Sequence, residues 1–308
     1  MWSMMTIIKR SFHRHVDFDK VRKFLIDTYQ ITNTFHNWIP SMFENSWRGP
    51  CGPPYKDAED EYVKIWEEEK TGIVAVTISK PCGEFRIFIH PEFRNFEETL
   101  VEALETQFKE MKKNDTKTKM YFIVEAGDTL RERLLENCGY ENKGVCEHNR
   151  ILPHDYNVPQ YTLPEDYTIR HVDIEKDFEN YRAVQGSVFS HCGEFMTLEA
   201  AKIYSEADFY HSERDIVVVA PDGSFAAFAT GRMDPISKLA EVEPVGVHPN
   251  HRRKGLGKAI VLECIRRLQK HGAIAIVILG AASTEEATRL YDSLGFSRTN
   301  VHVWVKEV

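Results

Sequence analysis

The chain switches between two hydrophobic periods, and it runs through the same order of switches twice. "TIIKRSF" (6–12) reads as a strand, and a helical pattern follows over 17–30. After an irregular stretch come strand-like runs at 61–67, 72–79 and 83–90. Over 96–112 Leu100, Leu104, Phe108 and Met111 recur on one helical face. A strand at 119–124, a helix at 128–137 and a last strand complete the half.

The second half begins with a strand, "YTIRHV" (167–172), and helical patterns over 174–190 and 197–208. Strands at 215–220 and 224–233 flank Pro221-Asp222-Gly223, a turn sequence. A fourth strand, "LAEVEPVGV", covers 239–247. Over 255–271 Leu256, Ile260, Cys264 and Leu268 recur every four residues, with Val261 and Ile265 beside them. Gly272 stands where a helix-ending glycine belongs. "AIAIVILG" (273–280) is apolar throughout, as a strand covered on both faces is. A helix over 284–294 and the strand "HVWVKEV" end the chain.

Between the halves, "ILPHDYNVPQYTLPED" (151–166) holds three prolines and almost no periodicity. Proline fixes φ and donates nothing to a ladder, so this stretch reads as an extended linker. The expected division is 1–150, a linker at 151–165, and 166–308. Two anchors make the halves an internal duplication. His90-Pro91 and His248-Pro249 stand 158 residues apart, and "LLENCGY" (134–140) and "LYDSLGF" (290–296) stand 156 apart.

Composition narrows the classes. A chain of 308 residues suits two domains, and 42% hydrophobic with 28% charged residues describes an ordinary soluble protein. A net charge of −8 argues against nucleic acid as a partner. No run approaches 18 apolar residues, so no membrane span is expected. "MWSMMTIIKR" lacks the apolar run of a signal peptide, and the six cysteines contain no C-x-x-C pair. Free thiols in a reducing cytoplasm are the expectation. A monomer or homodimer fits this composition.

Chemistry concentrates in "VGVHPNHRRKGLGKAI" (245–260). A strand ends at Val247, a basic loop carries Arg252, Arg253 and Lys254, and a helix opens at Gly255–Lys258. A helix N-terminus has free N–H groups and partial positive charge, so it attracts anions. Glycines at 255 and 257 allow a ligand close to the backbone. The arrangement suits a pyrophosphate. Its counterpart in the first half, "HPEFRNFEETLVE" (90–102), has Glu97, Glu98 and Thr99 at the positions of Gly255, Leu256 and Gly257. Asn95 and Phe96 replace Arg253 and Lys254, and Leu135 stands at the position of Tyr291.

These residues resemble the GNAT superfamily of N-acetyltransferases, whose acetyl-CoA signature is Arg/Gln-x-x-Gly-x-Gly/Ala. Arg252–Gly257 fits it without substitution, and the "VGV" strand and "RLYDSLGF" fall at the family's spacings. The resemblance covers the second half in motif and the first half in layout only. It implies two tandem α/β (α+β) GNAT-like domains. Each would be a mixed, mostly antiparallel sheet flanked by helices and splayed between its fourth and fifth strands. The layout is similar to that of mycothiol synthase.

The resemblance further implies N-acetyl transfer from acetyl-CoA to a primary amine by direct attack in a ternary complex. Acetyl-CoA is the cosubstrate, and no metal takes part. Pro244 would mark the family's bulge, with Val245, Gly246 and Val247 offering backbone groups to pantetheine. Arg252, Arg253, Lys254, Gly255, Leu256, Gly257 and Lys258 would hold the pyrophosphate. Tyr291 takes the place of the general acid that protonates the CoA thiolate. Many relatives have Asn where Thr284 stands, so Thr284 either contacts CoA or caps its helix. Glu241 and Glu243 are the two candidates for the base, on one strand face unless the bulge resets it. Residues 186–212 carry His191, Cys192, Glu194, Tyr204, Asp208, Tyr210 and His211, a varied set for a polar acceptor. A small-molecule amine is the expected acceptor. A mycothiol-synthase-like reaction, protein N-termini and an acyl-CoA-binding sensor or docking module are the alternatives.

Overall fold

A computed structural model describes residues 6–35, 37–49, 61–112, 119–153, 155–281 and 284–307. The chain forms two compact units that do not coincide with its sequence halves. One gathers the described residues of Met1–Pro40, Lys56–His148 and Thr299–Val308, the other those of Ser41–Tyr55 and Asn149–Arg298. Residues 41–49 and the end of the chain thus each join the unit opposite to the one expected from a cut at 150.

Unit 1 contains β1 (Ile7–Ser11), α1 (Arg14–Thr32), and, after α2 (Pro40–Arg48), β2 (Val63–Glu68), β3 (Gly72–Ser79) and β4 (Glu84–Ile89). It continues with α3 (Glu97–Met111), β5 (Lys119–Glu125), α4 (Thr129–Asn137) and the first part of β6 (Glu141–Leu152). Unit 2 has β7 (Thr168–His171), α5 (Ile174–Val188), α6 (Ser190–Phe195), α7 (Leu198–Ser205), β8 (Asp215–Val219) and β9 (Phe225–Met233). β10 (Leu239–Val247), α8 (Leu256–Lys270), β11 (Ala275–Ala281), α9 (Glu285–Asp292) and β12 (Ser297–Glu307) follow. The element order is that of the sequence patterns. The additions are α2, inside the stretch read as irregular, and the short α6.

The strand order in unit 1 is β1-β2-β3-β4-β5-β12-β6, and in unit 2 it is β6-β11-β10-β9-β8-β7. β12 pairs antiparallel with β5 from Val301↔Glu125 to Glu307↔Lys119. In unit 2, Asn149 Oδ1 accepts from Gly280 N at 3.1 Å, and Ile151 O from Ser297 Oγ at 3.1 Å. With 12 and 11 residues, β6 and β12 are about twice the usual strand length, enough for each to contribute to both units.

Both sheets are splayed at the same joint. β4 and β5 are paired in parallel at Glu84↔Tyr121 and Phe85↔Phe122, and β10 and β11 from Leu239↔Ala275 to Glu241↔Val277. β10 continues to Val247 beyond that register. On its other side β10 pairs with β9 as far as Val247↔Ala227, with a register shift between Val242 and Val245 that brackets Pro244. The missing N–H of proline makes that the natural place for a bulge.

The helical stripes sit where their periods put them. Leu256, Ile260, Val261, Cys264, Ile265 and Leu268 of α8 are all buried in the core of unit 2. Each fully buried aliphatic side chain contributes about 1.5–3 kcal/mol, so this stripe anchors α8 to β9 and β10. Leu100, Leu104 and Phe108 of α3 do the same in unit 1, whereas Met111, at the helix end, is exposed. The expected linker lies along unit 2. Tyr161 Oη donates to Glu263 Oε2 at 3.0 Å and Gln269 Nε2 to Tyr156 O at 2.8 Å, both on α8.

The duplication extends to hydrogen bonds. Asp17 accepts from Arg10 Nη1 at 2.7 Å and from His13 N at 2.9 Å. Asp177 accepts from Arg170 Nη1 at 2.5 Å and from Asp173 N at 2.9 Å. Each aspartate reaches back to the N-cap of its helix, as a capping-box side chain does. His90 and His248 likewise each cap a 3-10 turn through Nδ1, accepting from Glu92 N at 3.3 Å and Asn250 N at 3.2 Å.

One expectation about cysteine does not hold. Cys82, Cys138, Cys146 and Cys264 are free thiols, but Cys192 is disulfide-bonded. Sequence spacing shows no such pairing, because it is made by the fold.

Candidate active site

The site of unit 2 is built from the end of β10, the loop after it and the start of α8. Gly255 is the N-cap of α8 at φ 81°, and Arg253 before it also has positive φ at 66°. A Cβ at Gly255 would enter open space, so the helix start is bare at this point. Gly257 is closer to its neighbours, since a Cβ there would meet Val247 Cγ2 at 3.4 Å and Leu290 Cδ2 at 3.5 Å. Leu256 is buried and Lys258 exposed. The bare N–H groups and exposed Arg252, Arg253 and Lys258 form a cationic cradle suited to a pyrophosphate.

Two of the basic residues also have partners in the chain. Arg252 Nε donates to Val247 O at 3.3 Å, tying the loop to the strand end. Lys254 Nζ donates to Tyr167 Oη at 2.9 Å and stands over that ring at 5.3 Å. Tyr167, absent from the expected set, also meets His251 Nδ1 at 3.0 Å. It holds the cradle loop from the linker side.

Gly246 has a packing reason to be glycine. A Cβ there would meet Phe228 Cζ at 2.4 Å and Val188 Cγ2 at 3.0 Å. The glycine makes room for Phe228 on the neighbouring strand. Thr284 is the N-cap of α9, its side chain accepting from Ala287 N at 3.3 Å. Of the two readings of Thr284, capping is the one with a bond behind it.

The two carboxylates of β10 differ. Glu241 is buried, its Oε2 3.3 Å from Arg232 Nη1 and 3.5 Å from Ser41 Oγ. Burial raises its pKa and the Arg232 charge opposes the rise. Glu243 is partly exposed. Burial, opposed by Arg232 and assisted by Glu241, pushes its pKa up to about 7. The charges of both carboxylates act on the Arg232 guanidinium, and Glu241 also touches it. The register shift between Val242 and Val245 spans Glu243 itself.

Tyr291 is buried on α9, edge-on to Phe296 at 5.9 Å, with the Arg150 guanidinium over its ring at 5.3 Å. Burial pushes the phenol's pKa well up, and the charge of Glu243 pushes it further. Tyr291 is therefore a protonated phenol at neutral pH, electrostatically coupled to a carboxyl that titrates near neutrality.

Behind Glu241 lies a buried polar cluster. Arg232 Nε donates to Tyr204 Oη at 3.0 Å, and its guanidinium is 5.9 Å and 5.7 Å from the rings of Tyr204 and Phe209. Tyr181 and Thr230 each donate to Asp215 Oδ1 at 2.8 Å, and Tyr210 to its Oδ2 at 3.2 Å. Helix α2 joins this unit. Besides Ser41, its Glu44 Oε1 accepts from Asp208 N at 2.8 Å. Sequence reasoning points to the aromatic stretch 35–47 as a pocket wall but singles out neither Arg232 nor Ser41. Arg232 is the charge in an otherwise apolar strand, a pattern that signals a buried ion pair. Ile39, Phe43 and Trp47 recur every four residues behind Pro40 at a first-turn position, the mark of a helix.

His211, Glu213 and His271 place one ligand atom each within 4.8 Å of one another. Their own hydrogen bonds occupy them, however. His211 Nδ1 accepts from Glu213 N at 3.2 Å, and His271 Nε2 is 3.1 Å from Glu213 Oε2. A neutral ring accepting at Nδ1 carries its proton on Nε2 and has no lone pair left for an ion.

A register-shifted strand, unpaired with its parallel neighbour beyond Glu241, leads into a helix opened by glycine, an arrangement similar to that of GNAT acetyltransferases. Residues 181–296, which lie within the second unit, match the acetyltransferase (GNAT) family. The chain is also 28% identical over 239 residues to the mycothiol acetyltransferase of Pseudarthrobacter chlorophenolicus, covering 74% of this chain and 72% of that one. Two solved structures share the fold along nearly the whole chain. One is a GCN5-related N-acetyltransferase from Sphaerobacter thermophilus, with TM-score 0.66, 17% identity, and 98% and 95% of the two chains covered. The other is a tandem GNAT protein from the clavulanic acid biosynthesis pathway, with TM-score 0.66, 15% identity, and 98% of each chain covered. The chain is thus similar to mycothiol acetyltransferases in sequence and to tandem GNAT proteins in fold. Among the described residues no helix is long and apolar enough to cross a membrane.

Proposed function

We propose that unit 2 transfers an acetyl group from acetyl-CoA to the primary amine of a small molecule. One observation carries the proposal: α8 opens at the bare N-cap Gly255 beside exposed Arg252, Arg253 and Lys258, just past the strand that carries Glu243, whose pKa burial raises to about 7. A carboxylate that ionises near neutrality can take a proton from an ammonium, directly or through water, and a buried phenol can give one. The neutral amine then attacks the thioester carbonyl. Its carbon–sulfur bond breaks, and the departing thiolate takes the Tyr291 proton. The amine's remaining extra proton passes through water to the Tyr291 phenolate, and Glu243 releases its proton to solvent, so both groups regain their starting states.

The binding roles follow from the cradle. Gly255, Leu256, Gly257 and Lys258 open the helix to the pyrophosphate, and Arg252 and Arg253 supply charge. Lys254 fixes the loop through Tyr167 and contributes its field. The backbone of Val245, Gly246 and Val247 faces the slot where pantetheine would run. One of their N–H groups would polarise the thioester carbonyl. The relatives' name, mycothiol acetyltransferase, supports a small-molecule acceptor. The experiment is a release assay for the CoA thiol with purified protein, acetyl-CoA and a panel of amines, products being identified by mass spectrometry.

A further inference from the structure

Unit 1 repeats the scaffold of unit 2 but not its site, and the start of α3 holds something in the site's place. Glu97, the counterpart of Gly255, is 2% exposed. Its Oε2 accepts from Arg94 Nε at 2.6 Å, and its Oε1 is held by Arg131 Nε of α4. Arg94, the counterpart of Arg252, also donates from Nη2 to Asp128 Oδ1 at 2.7 Å. Asp128 is the N-cap of α4, as Thr284 is of α9.

Arg131 reaches further. Its Nη2 donates to Ile87 O at 3.3 Å. Counted at the offset of the His-Pro pairs, Ile87 corresponds to Val245. It lies on β4 two residues past the last parallel pair with β5, Phe85↔Phe122, where the strands part. One guanidinium thus joins the helix start, through Glu97, to a main-chain carbonyl of the splayed strand. In unit 2 the corresponding two places are the cradle and the pantetheine-facing strand.

We infer that Glu97 and Arg131 are a built-in plug: a carboxylate stands in the diphosphate cradle of unit 1 and a guanidinium stands across its slot. The inference rests on the cradle assigned to unit 2. The four charges balance, since Glu97 and Asp128 face Arg94 and Arg131. Removing the Glu97 side chain leaves two guanidinia against one carboxylate, with free volume at a helix N-terminus. That is an anion site. Unit 1 therefore keeps a closed site for a diphosphate-bearing ligand such as CoA, shut by its own residues.

Four full-length proteins test this by calorimetric titration with CoA: wild type, Glu97→Gly, Gly255→Glu and the double variant. The expected stoichiometries are one, two, zero and one per chain. Values of one for Glu97→Gly and zero for the double variant, both folded by circular dichroism, overturn the plug. A wild type that binds two overturns it as well. A value of one for Gly255→Glu instead contradicts the cradle of unit 2, so the two failures are distinct. If Glu97→Gly does not fold, Glu97→Ser replaces it with the same expected numbers, because serine also vacates the carboxylate's volume.

Discussion

Nη1 of Arg232 lies 3.3 Å from Oε2 of Glu241, and both side chains are buried. The pair divides labour along β10. Glu241 is committed to a structural ion pair, and Glu243, two residues on, is left to titrate. Removing one partner of a buried pair strands the other charge, at about 3–5 kcal/mol. Glu241→Ala should therefore lower the denaturation midpoint markedly. Glu243→Gln should leave it nearly unchanged while lowering kcat/KM by about 10²–10⁴-fold, the range of general-base effects. Denaturant melts and steady-state kinetics on both variants check this, and the reverse pattern would move the base to Glu241.

The pH profile should follow Glu243. Its pKa is raised to about 7 by burial, with Arg232 opposing and Glu241 assisting. A carboxyl with a raised pKa is protonated, and inactive as a base, below that value. kcat/KM for acetyl-CoA, at a constant concentration of the ammonium form of the amine, should rise about tenfold per pH unit below 7 and level off above it. Tyr291, its own pKa pushed further up, stays a donor throughout this range. In Glu243→Gln the limb should vanish. Its persistence there would assign it to another group.

Tyr291→Phe preserves the edge contact with Phe296 and removes only the hydroxyl. We expect kcat to fall about ten- to a thousandfold, from the low end of general-acid effects or below, with KM for acetyl-CoA nearly unchanged. Full activity in the variant would return Tyr291 to a packing role.

The two glycines should separate packing from binding. Gly246→Ala forces a methyl against Phe228, at 2.4 Å from Cζ, and should destabilise by about 1–3 kcal/mol, as overpacking does. Gly255→Glu points into open space and should fold despite φ 81°, at a backbone cost of about 1–2 kcal/mol. It should nevertheless lose acetyl-CoA binding, because its carboxylate enters the cradle. Thermal melts and calorimetry on both variants decide this, and unchanged affinity in folded Gly255→Glu contradicts the cradle.

Much of this was legible in the residues. The stripe on α8, the bulge at Pro244 and the duplicated His-Pro turns follow from local rules, because period, proline chemistry and capping act within a few residues. The plug was half legible. Glu97 in place of a glycine was visible, but its pairing with Arg131 joins α3 to α4 and is set by tertiary packing. The same holds for Ser41 beside Glu241, 200 positions away in the chain. Met111 shows the limit of periodicity, since a residue on the right face still emerges where the helix outruns its core. The unit boundaries were hidden for a similar reason: nothing local tells a long strand which sheet will take its end.

The most direct test is amine-dependent release of CoA thiol from acetyl-CoA, compared between wild type and Glu243→Gln. The account expects at least one amine of a broad small-molecule panel to be acetylated, with the product mass increased by one acetyl group and the rate at neutral pH lost in the variant. Tight acetyl-CoA binding with no acetylated product from any amine, in wild type as in variant, would contradict it and leave a binding module.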